Sequence, residues 1–251
     1  MTKNLDKYPE VSEPNCNYAW VMSEIALERL FSSCTGKGIY KSQIKIINEI
    51  HLNRNIAIMK PRQIFGVDTA IICYLIQKAI GSSWNSVIYC NDQDAVFCIA
   101  SKIEQMLKLA EIEFSTRYYP KLNQPEFTID SGSLLIRYGI PLNVFNLDCC
   151  YFSEASFIPN LEELVSLIAP VLKPDGKIVM ASTQNWGNPN LFSDIFLPEN
   201  DGSDWNKIIL DWRDLHEITG GFPEWGETKR LVMGLSQSQW DQEYEPIIQF
   251  N

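Results

Sequence analysis

Short apolar runs separated by helical segments constrain what this chain can fold into more than any other feature. NIAIM (Asn55–Met59), SVIYC (Ser86–Cys90), the stretch Val144–Phe152 that ends in CCYF, and KIVMAS (Lys177–Ser182) each have the length and content of a buried strand. Segments with helical spacing lie between them. Thr69–Ile80 follows the first run and Leu161–Leu172 the third, while Asp92–Leu109 follows the second with Ala95, Ile99, Ile103 and Met106 on one face. Strands alternating with helices imply a mainly parallel sheet covered on both faces. Glu126–Tyr138 interrupts the alternation, because two short strands around Ser131-Gly132 read as a hairpin. Two further helices, Tyr18–Ser33 and Ser42–Leu52, precede the first strand.

At 251 residues the chain can bury a sizeable core. Its formal charge of −10 argues against a surface that coats nucleic acid over most of its area. The charge is uneven. Six basic residues face one acid between Gly36 and Gln63, whereas twelve acids face four bases from Asp194 onward. Seven cysteines without a CxxC spacing read as reduced, mostly core residues and not as a zinc site. No signal peptide and no run long enough to cross a bilayer is read, so no membrane association is expected. After Asn185 the texture changes: glycines, prolines, acids and tryptophans crowd Gly187–Gly226, with a strand expected within Trp205–Trp212 and a Ser-capped helix over Leu235–Tyr244. The expected organisation is an N-terminal arm (1–17), a nucleotide-binding core (18–185) and a small lid or linker subdomain (186–251).

Two places carry chemistry. NIAIM, then the loop KPRQIFGVD, then a helix, is the strand–loop–helix context that a phosphate loop requires, since backbone N–H groups at a helix N-terminus bind phosphate. The second is LDCCYFSEASFIP (Leu147–Pro159), the outline of a Walker B strand with Glu154 at its end. Taken singly, Lys60 and Arg62 read equally as solvated loop charges, Gln43 as an exposed helix residue, and Glu154 as a carboxylate at a helix start.

In order along the chain, Tyr40-Lys41-Ser42-Gln43, Arg62-Gln63, Gly66, Ser153-Glu154 and Ser182-Thr183 resemble the motifs of the ATPase half of the large terminase of tailed phages, from about Ile39 to Glu245. The resemblance implies a RecA-like P-loop NTPase fold of the additional-strand class and a site for ATP with Mg²⁺. It would make Glu154 the base that activates water and Arg62 the arginine reaching the γ-phosphate in cis. Gln43 would read the adenine edge. Lys60, Arg62, Gln63, Gly66, Val67, Asp68 and Thr69 would surround the phosphates. Thr69 and, through a water, Ser153 would serve the metal, and Ser182 and Thr183 would couple hydrolysis to movement. The implied work is ATP-driven translocation of double-stranded viral DNA into a capsid. It would be done by a ring of subunits at the procapsid portal in the cytoplasm of the bacterial host, with the portal and small terminase as partners and the nuclease supplied by a separate subunit.

The chain departs from that pattern in three places. Val67 falls where the loop lysine is expected, with Lys60 near the front of the loop as a substitute. Ser153 replaces the Walker B aspartate. No Arg-Gly precedes Walker B, and Arg137 is the nearest base. Losing such charge clamps typically costs on the order of 10²–10³ each in rate. A second reading therefore stands beside the first: an inactive terminase-like module that binds or assembles with portal, small terminase or nuclease without hydrolysing ATP.

Overall fold

The structure, a computed structural model, describes residues 16–62, 66–119, 124–139, 146–185, 187–200, 204–214, 222 and 224–245. Helices α1 (Cys16–Thr35) and α2 (Lys41–Leu52) lead into β1 (Asn55–Met59), α3 (Val67–Ala79), β2 (Asn85–Tyr89) and α4 (Gln93–Leu109). Three strands follow, β3 (Phe114–Tyr119), β4 (Gln124–Ile129) and β5 (Gly132–Arg137), then β6 (Leu147–Ser153), α5 (Leu161–Ile168) and β7 (Leu172–Ser182). The chain continues through α6 (Leu191–Ile195), β8 (Asn206–Ile209), α7 (Trp225–Val232) and α8 (Gln237–Tyr244).

Among the described residues eight strands form one sheet in the order β3-β4-β5-β2-β6-β7-β1-β8. From β5 to β8 every neighbour is parallel, while β3 and β4 add an antiparallel edge. Strand alternation sorts the apolar runs onto two faces. Ile56, Ile58, Ile88, Cys149 and Tyr151 join the core beneath α1–α4. Ala57, Met59, Val87, Cys150 and Phe152 join a second core beneath α5 and α6. Both faces are covered, so the runs are continuous and not alternating.

The sequence expectations for β1, α2, α3, α4, the hairpin and β6 hold to within three residues at each end. The differences have local causes. Pro170 cannot donate to a continuing helix, so α5 gives way to a single 3₁₀ turn at Ala169–Val171 and β7 begins at Leu172, earlier than expected. β3 is an edge strand with mostly exposed side chains and therefore has no apolar run to betray it. β8 spans only Asn206–Ile209 of the expected Trp205–Trp212, although Leu210 N–H still donates to Met59 O at 2.9 Å.

Beyond β8, Trp212, Trp240 and Tyr244 are buried together with Trp225 and Leu235 packed against them. The rings of Trp240 and Tyr244 stack at 4.1 Å, and Ser236 caps α8 by accepting from Gln239 N–H. Gly226 lies flat against this cluster: a Cβ there would stand 2.4 Å from Trp212 Cη2. An indole locked between other rings has little room to retreat. Gly226→Ala should therefore destabilise the chain by about 1–3 kcal/mol, the usual cost of overpacking. Urea unfolding followed by tryptophan fluorescence measures this, and an unchanged midpoint would show that the cluster can shift.

Candidate nucleotide site

The candidate residues gather at the C-terminal ends of β1, β7 and β6, the sheet edge where open α/β folds bind ligands. Lys60 follows β1 directly, and its N–H prolongs the ladder to Ser182 O at 2.9 Å. Its side chain is only 5% exposed and sits between two carboxylates. The ammonium lies 2.5 Å from Glu154 Oε1 and 3.8 Å from Asp68 Oδ2. A lone buried ammonium is costly, and these partners are what make it tolerable. Burial by itself would push the Lys60 ammonium down, but Asp68 and Glu154 outweigh burial and hold it above the ordinary lysine range. Burial likewise raises the Asp68 carboxyl, yet Lys60, the Tyr151 hydroxyl, Lys102 and Ser153 together hold it below the ordinary range.

Asp68 is fixed from the opposite strand. Tyr151 and Ser153 are two residues apart on β6, so both point to the face on which α3 lies. The Tyr151 hydroxyl donates to Asp68 Oδ1, and Ser153 Oγ donates to the same oxygen at 3.0 Å. One residue later the backbone turns left-handed at Glu154 (φ +54°), an unusual conformation for a side chain larger than glycine. This turn swings the carboxylate from β6 toward β7. There Glu154 Oε2 accepts from Ser182 Oγ at 3.4 Å and from Thr183 N–H at 3.5 Å, and Ser182 Oγ accepts in turn from Ser156 N–H at 3.1 Å.

Gly66 caps α3 with φ +56°. Val67, Asp68 and Thr69 precede the first intrahelical bond, which Ala70 N–H makes to Gly66 O at 3.0 Å, so their amides form the dipolar opening of the helix. Gln43 spans two segments: its amide oxygen accepts from Tyr40 N–H at 2.9 Å, and its amide nitrogen donates to Gly66 O at 3.5 Å. A Cβ on Gly66 would meet that nitrogen at 2.9 Å. Gly66→Ala should cost about 1–2 kcal/mol through the left-handed φ and displace Gln43. Thermal unfolding checks the first effect.

The remaining expected residues divide. Val67 is buried in the α1–α4 core and presents no polar group where a lysine would reach. Arg62 lies at the loop's front, paired with Glu243 of α8 at 2.8 Å, and its own N–H donates to Glu243 O at 2.7 Å. Gln63 lies outside the described residues. Thr69 Oγ1 accepts from Lys102 Nζ of α4 at 2.5 Å. Lys102, Tyr151 and Glu243 are the participants that sequence reasoning missed. Lys102 looks like any polar position on an amphipathic helix, Tyr151 like one more apolar residue of its strand, and Glu243 is 181 residues from its partner. Arg137 is fully buried at the end of β5, with its guanidinium 5.6 Å from the centre of the Tyr89 ring. Among the described residues no group of three or more His, Cys, Asp or Glu side chains could hold a metal.

The strand order defines the class. β7 is inserted between β1, which leads into the loop before α3, and β6, whose end precedes Glu154, which is the strand order of a RecA-like fold. Within that class the fold is that of phage large-terminase ATPase domains. The ATPase domain of the Thermus phage P74-26 large terminase superposes with a TM-score of 0.58 at 16% identity, over 86% of this chain and 96% of that one. The large terminase of the thermophilic bacteriophage D6E gives 0.61 at 11% identity, and that of bacteriophage HK97 gives 0.60 at 12%. The chain spans 54% of the length of each of these two terminases. The D6E protein has been solved with ADP and with ATP-γ-S. No protein-family model and no curated protein sequence matches the chain.

Proposed function

We propose that this chain is a terminase large-subunit-like ATPase domain that binds ATP with Mg²⁺ and uses hydrolysis to drive viral double-stranded DNA into a capsid. The observation that carries the reading is the Lys60–Glu154 contact at 2.5 Å, with Asp68 alongside, at the strand ends beside the opening of α3. A buried ammonium, a helix N-terminus, hydroxyls and a carboxylate at the end of the next strand but one are the donor set that a magnesium–triphosphate requires. Mg²⁺ when bound supplies charge neutralisation of the phosphates. Lys60 would hold phosphate oxygens, the α3 amides would cradle them, and Glu154, released from Lys60, would orient and deprotonate a water. Gln43, already bonded to the Gly66 carbonyl, would read the base, and Ser182 and Thr183 would feel any movement of Glu154. Partners of such a motor would be the portal, the small terminase, a nuclease subunit and further copies in a ring, at the procapsid in the host cytoplasm. Among the described residues no helix is long and apolar enough to cross a membrane.

The test is phosphate release by the purified chain with Mg²⁺ and double-stranded DNA. DNA-stimulated turnover supports the reading, and release no higher than that of the Glu154→Gln chain refutes hydrolysis. The second reading, an inactive terminase-like assembly module, is favoured by one specific observation: Val67 is packed into the core where the loop lysine belongs. It expects nucleotide to bind weakly or without metal, and portal or small terminase to bind equally well with and without ATP.

A further inference from the structure

In P-loop nucleotide hydrolases one Mg²⁺ is held by a hydroxyl from the phosphate loop and a carboxylate from Walker B. Here the helix position after Val67 carries the carboxylate, Asp68, and the end of β6 carries the hydroxyl, Ser153. We propose that the chain has exchanged the two oxygen donors between the motifs: Asp68 supplies the charge that Walker B lacks, Ser153 supplies the hydroxyl that the loop lacks, and the pair serves the same divalent cation. This rests on the nucleotide-binding reading above and deepens it.

Three observations carry the exchange. The two departures are opposite in sign, so together they leave the charge of the pair unchanged, whereas either alone would add or remove one negative charge beside the phosphates. The two side chains meet, with Ser153 Oγ 3.0 Å from Asp68 Oδ1. Tyr151 donates to that same Oδ1, which directs the other oxygen, Oδ2, toward Lys60 at 3.8 Å, on the side where the site's cation already stands. A hard divalent cation needs carboxylate charge, and it is indifferent to which strand or helix delivers it provided the oxygen occupies the same place. Thr69, one position further along α3, is engaged by Lys102 and is superfluous as a metal ligand in this arrangement.

The exchange predicts reciprocal rescue. Calorimetric titration of the whole chain with ATP-γ-S, in Mg²⁺ and then in EDTA, should show Mg²⁺ tightening binding to the wild type by at least about tenfold, one decade of Kd. Asp68→Thr should lose that increment, because two hydroxyls then face each other with no carboxylate. Adding Ser153→Asp to Asp68→Thr, which restores the ordinary arrangement, should recover it. Asp68→Asn keeps the shape and the hydrogen bonds to Tyr151 and Ser153, and it should lose the increment as well, so the idea stays decidable even if the threonine variant does not fold. Retention of the increment in either single variant, or no recovery in a double variant that melts like the wild type, overturns the exchange. ATP-γ-S binding that Mg²⁺ does not strengthen overturns it while leaving nucleotide binding intact. No ATP-γ-S binding in either condition removes the nucleotide reading and this inference together.

Discussion

Glu154→Gln is expected to lower DNA-stimulated phosphate release by about 10²–10⁴-fold while leaving nucleotide affinity within a few-fold of the wild type. Glutamine keeps the side chain's length and can still accept from Thr183 N–H and Ser182 Oγ, so the left-handed turn at the end of β6 survives. What is lost is the capacity to take a proton. The bond to Lys60 is lost as well, because the amide's single oxygen is taken by Thr183 and Ser182 and its NH2 then faces the ammonium. That frees Lys60 for phosphate, so affinity should hold or rise slightly. The split between an almost abolished rate and an unchanged Kd is the signature to look for. A parallel fall in both would assign Glu154 to structure and not to proton transfer.

Lys60→Met should be the most destabilising single change at the site. The substitution keeps the apolar stem and removes one cation from between two carboxylates, and breaking a buried pair in this way costs about 3–5 kcal/mol. Glu154, 36% exposed, can relax into water, whereas Asp68 is held on Tyr151 and Ser153. The lower end, about 3 kcal/mol or roughly 6–12 °C in Tm, is therefore expected. The effect has a pH signature. Lys60 holds the Asp68 carboxyl below its ordinary value, so this stabilisation is complete above about pH 4 and disappears as pH falls through the depressed pKa. The gap between wild type and variant should close in acid. A melting difference that is the same at neutral and acid pH would mean that the stem, not the charge, does the stabilising.

Much of the fold could be read from the chain because buried parallel strands leave continuous apolar runs, and NIAIM and CCYF are such runs. β3 and the short helices α6 and α7 could not, because an exposed edge and helices of five and eight residues amid glycine and proline are too short to stand out. The site was legible only as a set of positions. The strand–loop–helix context and the resemblance to terminase motifs brought Lys60, Asp68, Ser153 and Glu154 into consideration, but not which of them touch. That depends on β7 lying between β1 and β6 and on the backbone turn at Glu154, neither of which has a marker in the local sequence. Lys102 and Glu243 were invisible for the same reason: their role is to meet a residue far away in the chain.

Arg62 is gripped twice by Glu243, once through its guanidinium and once through its own amide. The front of the loop before α3 is thereby laced to a helix that also carries Trp240 and Tyr244 of the aromatic cluster. Arg62 cannot leave its place without either snapping both ties or hauling that helix along. A local rearrangement a few ångströms across would then leave the sheet edge as the displacement of a rigid rod, a crank rather than a hinge.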